Sequence, residues 1–170
     1  MSELIDVSTV SVRQLLGLHA GICTEPIARG VTKTANNPTG DFAEYLFCKA
    51  FSWDSAPNSE RAVDALEGNT KYQIKGRRLA SQNTSRQLGV LRNLDKGNFD
   101  YLAAVLFGSQ FDVFRAAIIP YAYVNEIATY SKHQNGWILH LRDSIWSLPG
   151  VRDVTQELTQ AADWDGAARA

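Results

Sequence analysis

Residues 62–78 carry the sequence signature of a β-hairpin, which would hold two strands of one sheet at a defined register. Gly68-Asn69 is a suitable two-residue loop, because a type II′ turn requires Gly at its first central position. Counting outward from this loop gives the register of the two strands. The predicted pairs are Asp64 with Gln73, Ala65 with Tyr72, and Val63 with Ile74.

The predicted register separates polar from apolar side chains. Directly paired residues share a face, and residues two apart on a strand do as well, so Asp64, Gln73 and Lys75 are expected on one face. A solvated face with one Asp–Lys ion pair is an equal alternative, because exposed ion pairs contribute little to stability. The other face is apolar and is expected to pack in the core. It carries Val63, Ala65, Tyr72 and Ile74.

The length of 170 residues predicts one domain, residues 1–170. Its expected core covers about residues 38–145. The formal net charge of −1 predicts no strong bulk attraction to nucleic acid or membranes. Residues 71–96 are nevertheless basic, with seven Lys or Arg residues and one acid, Asp95. A local basic patch on a nearly neutral protein suits a polyanionic partner, although solvated loop charges give the same pattern.

Cys23 and Cys48 are too few cysteines for a disulfide framework or a zinc site. Both lie in apolar stretches and are predicted to be buried free thiols in a reducing compartment. The first residues lack the basic and apolar regions of a signal peptide, and no apolar run reaches the roughly 18 residues that a membrane span needs. The expectation is a cytoplasmic protein with no membrane partner.

A first helix is predicted at residues 12–29, capped by Ser8 or Ser11 and interrupted late by Pro26. Its apolar side includes His19, which is expected to be a packed core or interface side chain rather than a metal ligand. The residues at helical spacing are Leu15, Leu16, His19, Ile22 and Cys23.

A second helix is predicted at residues 40–51, capped by Thr39 and largely buried, because it is apolar on most sides. Glu44 lies in its middle. A carboxylate in apolar surroundings costs several kcal/mol unless a cation, a metal or a donor meets it. The expected partner is either an arginine or a metal ion shared with Asp64.

The rest of the chain alternates between strands and helices. Buried strands are predicted at residues 99–107 and 111–119, and a shorter strand at 137–141. Helices are predicted near residues 121–130 and at 151–162. Helices that lead and trail a consecutive set of strands predict an α/β fold, with a central mixed β-sheet flanked by helices.

The order of polar residues along these elements resembles the PD-(D/E)xK, or restriction-endonuclease-like, nuclease superfamily. That pattern has a glutamate on a helix, then an aspartate on the first strand of a hairpin, then (Asp/Glu/Gln)-x-Lys on the second strand. In this chain the matching residues are Glu44, Asp64 and Gln73-Ile74-Lys75.

The similarity covers about residues 38–120 and has two departures from the family pattern. Val63 stands where the family has proline, and Gln73 replaces the middle acid, a variant similar to Mrr-type restriction enzymes. A neutral amide oxygen binds Mg²⁺ more weakly than a carboxylate does. The resemblance implies that Glu44 would restore the second negative charge.

The resemblance implies a Mg²⁺- or Mn²⁺-dependent phosphodiesterase that cuts DNA as an endonuclease, in restriction or phage defence. Asp64 would be the principal metal ligand, with Glu44 and Gln73 as further ligands. Lys75 would orient or deprotonate the attacking water and stabilise the transition state. The implied catalytic residues are Glu44, Asp64, Gln73 and Lys75.

The implied DNA partner would meet the basic run, whose candidate phosphate contacts are Arg77, Arg78, Arg86 and Arg92. Gln82, Asn83 and Gln87 could read base edges, although polar loop residues are more often only solvated. A C₂ homodimer would let each of two sites cut one strand. The sequence gives no direct sign of such a dimer.

Two other functions fit the same residues. The first is a catalytically inactive nucleic-acid-binding or assembly module on the same fold, with Gln73 marking a decayed site. The second is an unrelated α/β interaction protein, in which Asp64 and Lys75 form a plain ion pair. Metal binding, salt-sensitive DNA binding and turnover distinguish the three.

Overall fold

The computed structural model describes residues 6–57 and 63–163. Along these residues the helices are α1 (Val12–Ala28), α2 (Thr39–Phe51), α3 (Tyr121–Ile127) and α4 (Thr155–Asp163), with short 3₁₀ helices at Leu94–Lys96 and Asp143–Ser147. The strands are β1 (Asp54–Ser55), β2 (Ala65–Glu67), β3 (Thr70–Arg78), β4 (Tyr101–Phe107), β5 (Val113–Pro120), β6 (Thr129–Ser131), β7 (Gly136–Ile138) and β8 (Arg152–Asp153).

Six strands form one mixed sheet in the order β1-β2-β3-β4-β5-β8. The central pair β3–β4 is parallel, and the other four pairs are antiparallel. A parallel pair needs a long crossover connection, which residues 79–100 supply. The predicted α/β fold with a central mixed sheet flanked by helices is confirmed.

The hairpin of β2 and β3 turns where the sequence predicts. Gly68 has φ 59°, which suits the first central position of a type II′ turn, and Ala65 pairs with Tyr72 as expected. The ladder ends at Ala65, so the expected direct pairs of Asp64 with Gln73 and of Val63 with Ile74 do not form. Ala62, at the start of the predicted hairpin, lies outside the described residues.

Each face of the large sheet has its own apolar core. Helices α2 and α4 cover the first core, which includes Leu46 and Phe47 of α2 and Ile74 of β3. Helix α3 and the irregular segment around Leu88 and Leu91 cover the second core. Strand β4 alternates between them, with Ala103, Val105 and Phe107 in the first core and Leu102, Ala104 and Leu106 in the second.

Helix α1 is not part of either core. Ser11 caps it through a capping box with Gln14, and the helix continues past Pro26 to Ala28. No residue of α1 is buried, and His19 is exposed, so the expectation that His19 packs in the core is wrong. The apolar spacing predicted the helix correctly, but the sheet faces are already covered by other elements.

Helix α2 begins differently from the prediction. Pro38, not Thr39, occupies its N-cap position. The side-chain oxygen of Asn37 accepts hydrogen bonds from the Thr39 N–H at 3.0 Å and from the Thr39 hydroxyl at 2.7 Å. This Asx turn uses the hydroxyl that a capping threonine would have offered to the helix.

The end of the chain also differs from the prediction. The helix expected at residues 151–162 begins only at Thr155, because Arg152–Asp153 pairs with β5 as strand β8. The strand expected at 137–141 is shorter, since β7 ends at Ile138. Long-range pairing with β5 therefore overrides the local helical pattern.

Two further expectations concern the cysteines and the length of the helices. Cys23 and Cys48 are free thiols, as expected, but each is half-buried rather than buried. Of the helices within the described residues, none has the length and apolar character to cross a membrane.

Candidate active site

Within residues 6–57 and 63–163, no strand pairs with β3 at the edge of Ile74, because β2 has ended there, and we call this the open edge of β3. Ala65 is the last paired residue of β2, and the Asp64 N–H still donates to the Tyr72 carbonyl at 2.8 Å. The Asp64 carboxylate then accepts a hydrogen bond from the Ile74 N–H at 2.6 Å, in the place of the missing strand. Because the N–H and C=O of one strand residue point to the same edge, the Ile74 carbonyl also faces this open edge.

Helix α2 packs closely on β3 because Gly76 has no side chain. A Cβ atom at Gly76 would lie 2.9 Å from both the Ala43 Cβ and the Thr39 carbonyl oxygen, too close for any real side chain. The contact fixes α2 over β3 and brings Glu44, the neighbour of Ala43, beside this part of the strand.

Glu44 has a cationic partner, Lys33, whose Nζ lies 2.5 Å from the Glu44 Oε2. Lys33 belongs to the connection between α1 and α2, which Asp41 holds in place. The Asp41 Oδ2 accepts hydrogen bonds from the N–H groups of Lys33 at 2.7 Å and of Thr34 at 3.3 Å. The side chain of Lys33 is 65% exposed and that of Glu44 is 24% exposed. The sequence predicted an arginine or a metal here, and Lys33 fills that place.

Glu44 and Asp64 share one electrostatic neighbourhood. The pKa of Lys33 is raised by its hydrogen bond to Glu44 and by the charges of Glu44, Asp41 and Asp64, while burial opposes the rise. The pKa of the Cys48 thiol is raised first by burial and also by the charges of Glu44 and Asp64. Both carboxylates therefore lie near Lys33 and Cys48.

Gln73 and Lys75 point to the sheet face opposite α2, because they pair with Leu102 and Ala104 of the second core. Gln73 is only 5% exposed, and its Oε1 atom has no hydrogen-bond partner among the described residues. The ammonium of Lys75 makes no hydrogen bond or ion pair within residues 6–57 and 63–163. A buried carbonyl oxygen without a donor is costly, so a water molecule, a cation or another ligand is expected beside it.

The four residues lie on β3 or on elements next to it. Asp64 lies at the edge of β3, Gln73 and Lys75 lie on the sheet face opposite α2, and Glu44 lies on α2, which packs on β3. The expected direct pairing of Asp64 with Gln73 is wrong, because the ladder ends at Ala65, whereas Gln73 and Lys75 share a sheet face as expected. No ion pair joins Asp64 to Lys75, both of which the structure describes, so that alternative reading of the pair is also wrong.

The available ligand atoms are all oxygens. They are two carboxylates, a buried amide oxygen without a donor and one backbone carbonyl at the open edge. This donor set fits hard cations such as Mg²⁺ and Mn²⁺ rather than zinc or copper. The residues described include no group of three His, Cys, Asp or Glu side chains arranged for a metal. The residues that fit are Glu44, Asp64, Gln73 and the Ile74 carbonyl.

A cleft of about 700 Å³ lies beyond the end of β3, next to this group. Arg77 and Arg78 line it, and none of its described lining residues is acidic. Gly76 and Gly89 form part of its wall, and Gly89 lies over the Lys75 carbon chain, since a Cβ there would be 3.7 Å from the Lys75 Cδ. The cleft is therefore electropositive and adjoins the candidate site.

The four predicted phosphate-binding arginines do not form one surface. Arg86 instead donates to Asp143 at 2.8 Å, and this hydrogen bond, with one from Arg115, lowers the pKa of Asp143. Arg92 donates to the Asn135 carbonyl at 2.9 Å. Both arginines hold distant loops together. Of the predicted set, Arg77 and Arg78 are the two that line the cleft.

Sequence reasoning missed several residues around the site. Lys33 and Asp41 form the connection to Glu44, and His19 and Cys23 of α1 line the cleft. The sequence could have indicated Asp41, because acidic side chains are favoured in the first turn of a helix. It could not have indicated Lys33, because lysines are common in loops.

Searches against protein-family models and curated protein sequences find no match to this chain. The residues around β3 therefore supply the basis for a function.

Proposed function

We propose that this protein is a metal-dependent nuclease that hydrolyses phosphodiester bonds of DNA in the cytoplasm. The observation that carries the proposal is the edge of β3 at Ile74, where the Asp64 carboxylate replaces a strand partner, with Glu44 on the helix that packs on the same strand. Carboxylates such as Asp64 and Glu44 are the ligands that hard divalent cations prefer.

Each side chain of the proposed site has its own role in hydrolysis. A bound Mg²⁺ or Mn²⁺ ion would supply charge neutralisation at the scissile phosphate and acidify a water molecule. Asp64, Glu44 and Gln73 offer the oxygens that hold it. Lys75 has no acidic partner among the described residues, so its ammonium is available to orient the attacking water and to stabilise negative charge on the phosphate.

The cleft supports DNA as the substrate. Its two guanidinium groups, from Arg77 and Arg78, suit phosphate oxygens, and its described lining has no carboxylate to repel a polyanion. The cleft adjoins Lys75 through Gly89. A backbone held by the arginines would place a phosphate next to the candidate site. Cutting of invading DNA, as in restriction or phage defence, is the cellular role we propose.

One observation favours a second function, a nucleic-acid-binding module without catalysis. Lys33 already supplies a positive charge to Glu44, and Gln73 supplies no negative charge. An ammonium can neutralise a carboxylate in place of a metal. Such a module would bind DNA in the same cleft, with affinity falling as salt rises, and would not turn over.

The test compares Asp64→Asn with Asp95→Asn, a matched change on the exposed 3₁₀ helix Leu94–Lys96. Asparagine keeps an oxygen for the Ile74 N–H, so the fold is retained while the charge is lost. Mn²⁺ binding is measured by calorimetry, and cleavage is measured on supercoiled DNA with Mg²⁺.

We expect Asp64→Asn to lose Mn²⁺ binding and to reduce cleavage by about 100-fold or more, with Asp95→Asn unchanged. Salt-sensitive DNA binding by the wild type, without Mn²⁺ binding or cleavage, would establish the second function instead. Absence of metal binding, DNA binding and cleavage would reject both.

A further inference from the structure

Helix α1 presents a groove that nothing in the described structure covers. Its apolar side chains Leu16 and Ile22 are each 66% exposed, and none of its 17 residues is buried. The groove has a volume of about 540 Å³. A helix of this length that buries nothing is marginal by itself in water, because most helical stability in proteins comes from packing of an apolar face. The six groove residues within α1 are Gln14, Gly17, Leu18, Gly21, Ile22 and Glu25.

The groove residues alternate in size. Gly17 and Gly21 leave open space, since a Cβ atom built at either would meet nothing within 4 Å. Leu18 and Ile22 stand next to them as large apolar side chains. One face of α1 thus has two gaps, at Gly17 and Gly21, and two projecting side chains, Leu18 and Ile22. The two gaps are one helical turn apart, and so are the two side chains.

The size pattern is self-complementary in an antiparallel arrangement. When a second α1 lies antiparallel with a two-fold axis between His19 and Ala20, Leu18 of one copy faces Gly21 of the other. Ile22 of one copy faces Gly17 of the other in the same register. Both pairs occur twice, as a two-fold interface requires, so every projection meets a gap.

The polar ends of the groove match in the same register. Gln14 of one copy meets Glu25 of the other, so an amide donor faces a carboxylate at each end of the pair. Arg13 lies next to Gln14 and adds a positive charge near that carboxylate. Within one chain Glu25 pairs with Arg29 at 2.8 Å, on the surface, where exchange of partners costs little.

We propose that two copies of this chain associate through an antiparallel pair of α1 helices, with Leu18 and Ile22 seated over Gly21 and Gly17 of the other copy. A 17-residue helix is about 26 Å long, so this contact buries less than the roughly 800 Å² per partner of a standard stable interface. The dimer is therefore expected to be weak and to dissociate when the protein is diluted. The inference does not rest on the nuclease site.

The test uses sedimentation equilibrium of the full chain over a wide range of protein concentrations. Ile22→Asp and Leu16→Asp form a matched pair, since both side chains are equally exposed and only Ile22 lines the groove. Circular dichroism verifies that both variants keep the wild-type helix content and melting curve. Neither residue is buried, so both variants are expected to fold.

We expect the wild type to dimerise, Ile22→Asp to raise the dimer dissociation constant by about tenfold or more, and Leu16→Asp to change it by less than about twofold. A wild type that stays monomeric at all concentrations would overturn the proposal. Equal weakening by both variants, or none by Ile22→Asp, would overturn it too, because the contact would then lie elsewhere.

Discussion

Helices α1 and α2 follow one another in the chain and are both rich in apolar residues, yet only α2 rests on the sheet. Helix α2 buries Ala43, Leu46 and Phe47 completely in the first core, against β3 and α4. Helix α1 is longer and buries none of its residues. The difference between them lies in the surface available to each helix, not in apolar content.

Two different sources of stability follow from this difference. Helix α2 is held by tertiary packing, which includes the close contact over Gly76. Helix α1 uses local devices, namely the capping box of Ser11 and Gln14 and the pair of Glu25 with Arg29 one turn apart. Local devices contribute a few tenths to about 1 kcal/mol each, whereas a buried aromatic side chain contributes several.

The largest expected effect comes from removing a buried side chain of α2. Phe47→Ala should lower the free energy of unfolding by about 3–5 kcal/mol, because it leaves a cavity in the first core. The matched change in α1, Leu16→Ala, should alter it by no more than about 0.5 kcal/mol. Urea denaturation at a protein concentration that keeps the chain monomeric measures both. Similar losses from the two changes would show that α1 is packed as firmly as α2.

A smaller loss is expected from a single methyl group under α2. Gly76→Ala should cost about 1–3 kcal/mol, because the new Cβ meets the Ala43 Cβ and the Thr39 carbonyl oxygen at 2.9 Å. Gly89→Ala is the control, since its Cβ would make an ordinary contact at 3.7 Å with the Lys75 Cδ. Gly76→Ala should also weaken Mn²⁺ binding, because α2 carries Glu44. Unchanged stability in Gly76→Ala would mean that α2 is free to shift.

The smallest effect is expected in the connection between the two helices. Lys33→Gln removes the cation that competes for Glu44, so Mn²⁺ affinity measured by calorimetry should rise by up to about fivefold. Lys96→Gln, on an exposed 3₁₀ helix, should leave the affinity unchanged. Weaker binding in Lys33→Gln would show that the lysine supports the metal site rather than competes with it.

The same ion pair has a pH dependence of known sign. The folded protein holds the pKa of Lys33 above its ordinary value of 10.5, so the pair stabilises the fold fully below that pH. The contribution is lost as the pH rises through the folded pKa. Lys33→Gln should therefore flatten the decline of stability above about pH 10, within the small size that an exposed pair allows.

Local sequence signals predicted the local parts of this molecule well. The Gly68 turn, the register of Ala65 with Tyr72 and the capping by Ser11 each depend on a few neighbouring residues. Strand β8 and the missing core contacts of α1 could not be predicted, because they depend on which surfaces remain free after distant elements have packed. Local pattern contains no such information.

The candidate site shows the same contrast between local sequence signals and contacts that depend on distant elements. Of the residues selected from spacing and from the family resemblance, Gln73 and Lys75 lie on β3, Asp64 bonds to it at Ile74, and Glu44 lies on the helix that packs on it. The expected pairing of Asp64 with Gln73 was wrong, because the side chain of Asp64 takes the place of the backbone ladder at Ile74. Lys33 was missed, because its role depends on a loop whose course Asp41 determines.

The crossover between β3 and β4 has a consequence for the order of folding. The hairpin of β2 and β3 joins neighbours in sequence, whereas the β3–β4 pair forms only after the 79–100 segment has closed a loop. We therefore expect Asp64, Gln73 and Lys75 to come together early, within one local unit, and Glu44 to join them when α2 docks on β3. We expect divalent-cation affinity during refolding to mature in that last step, which makes the ion a reporter of helix docking.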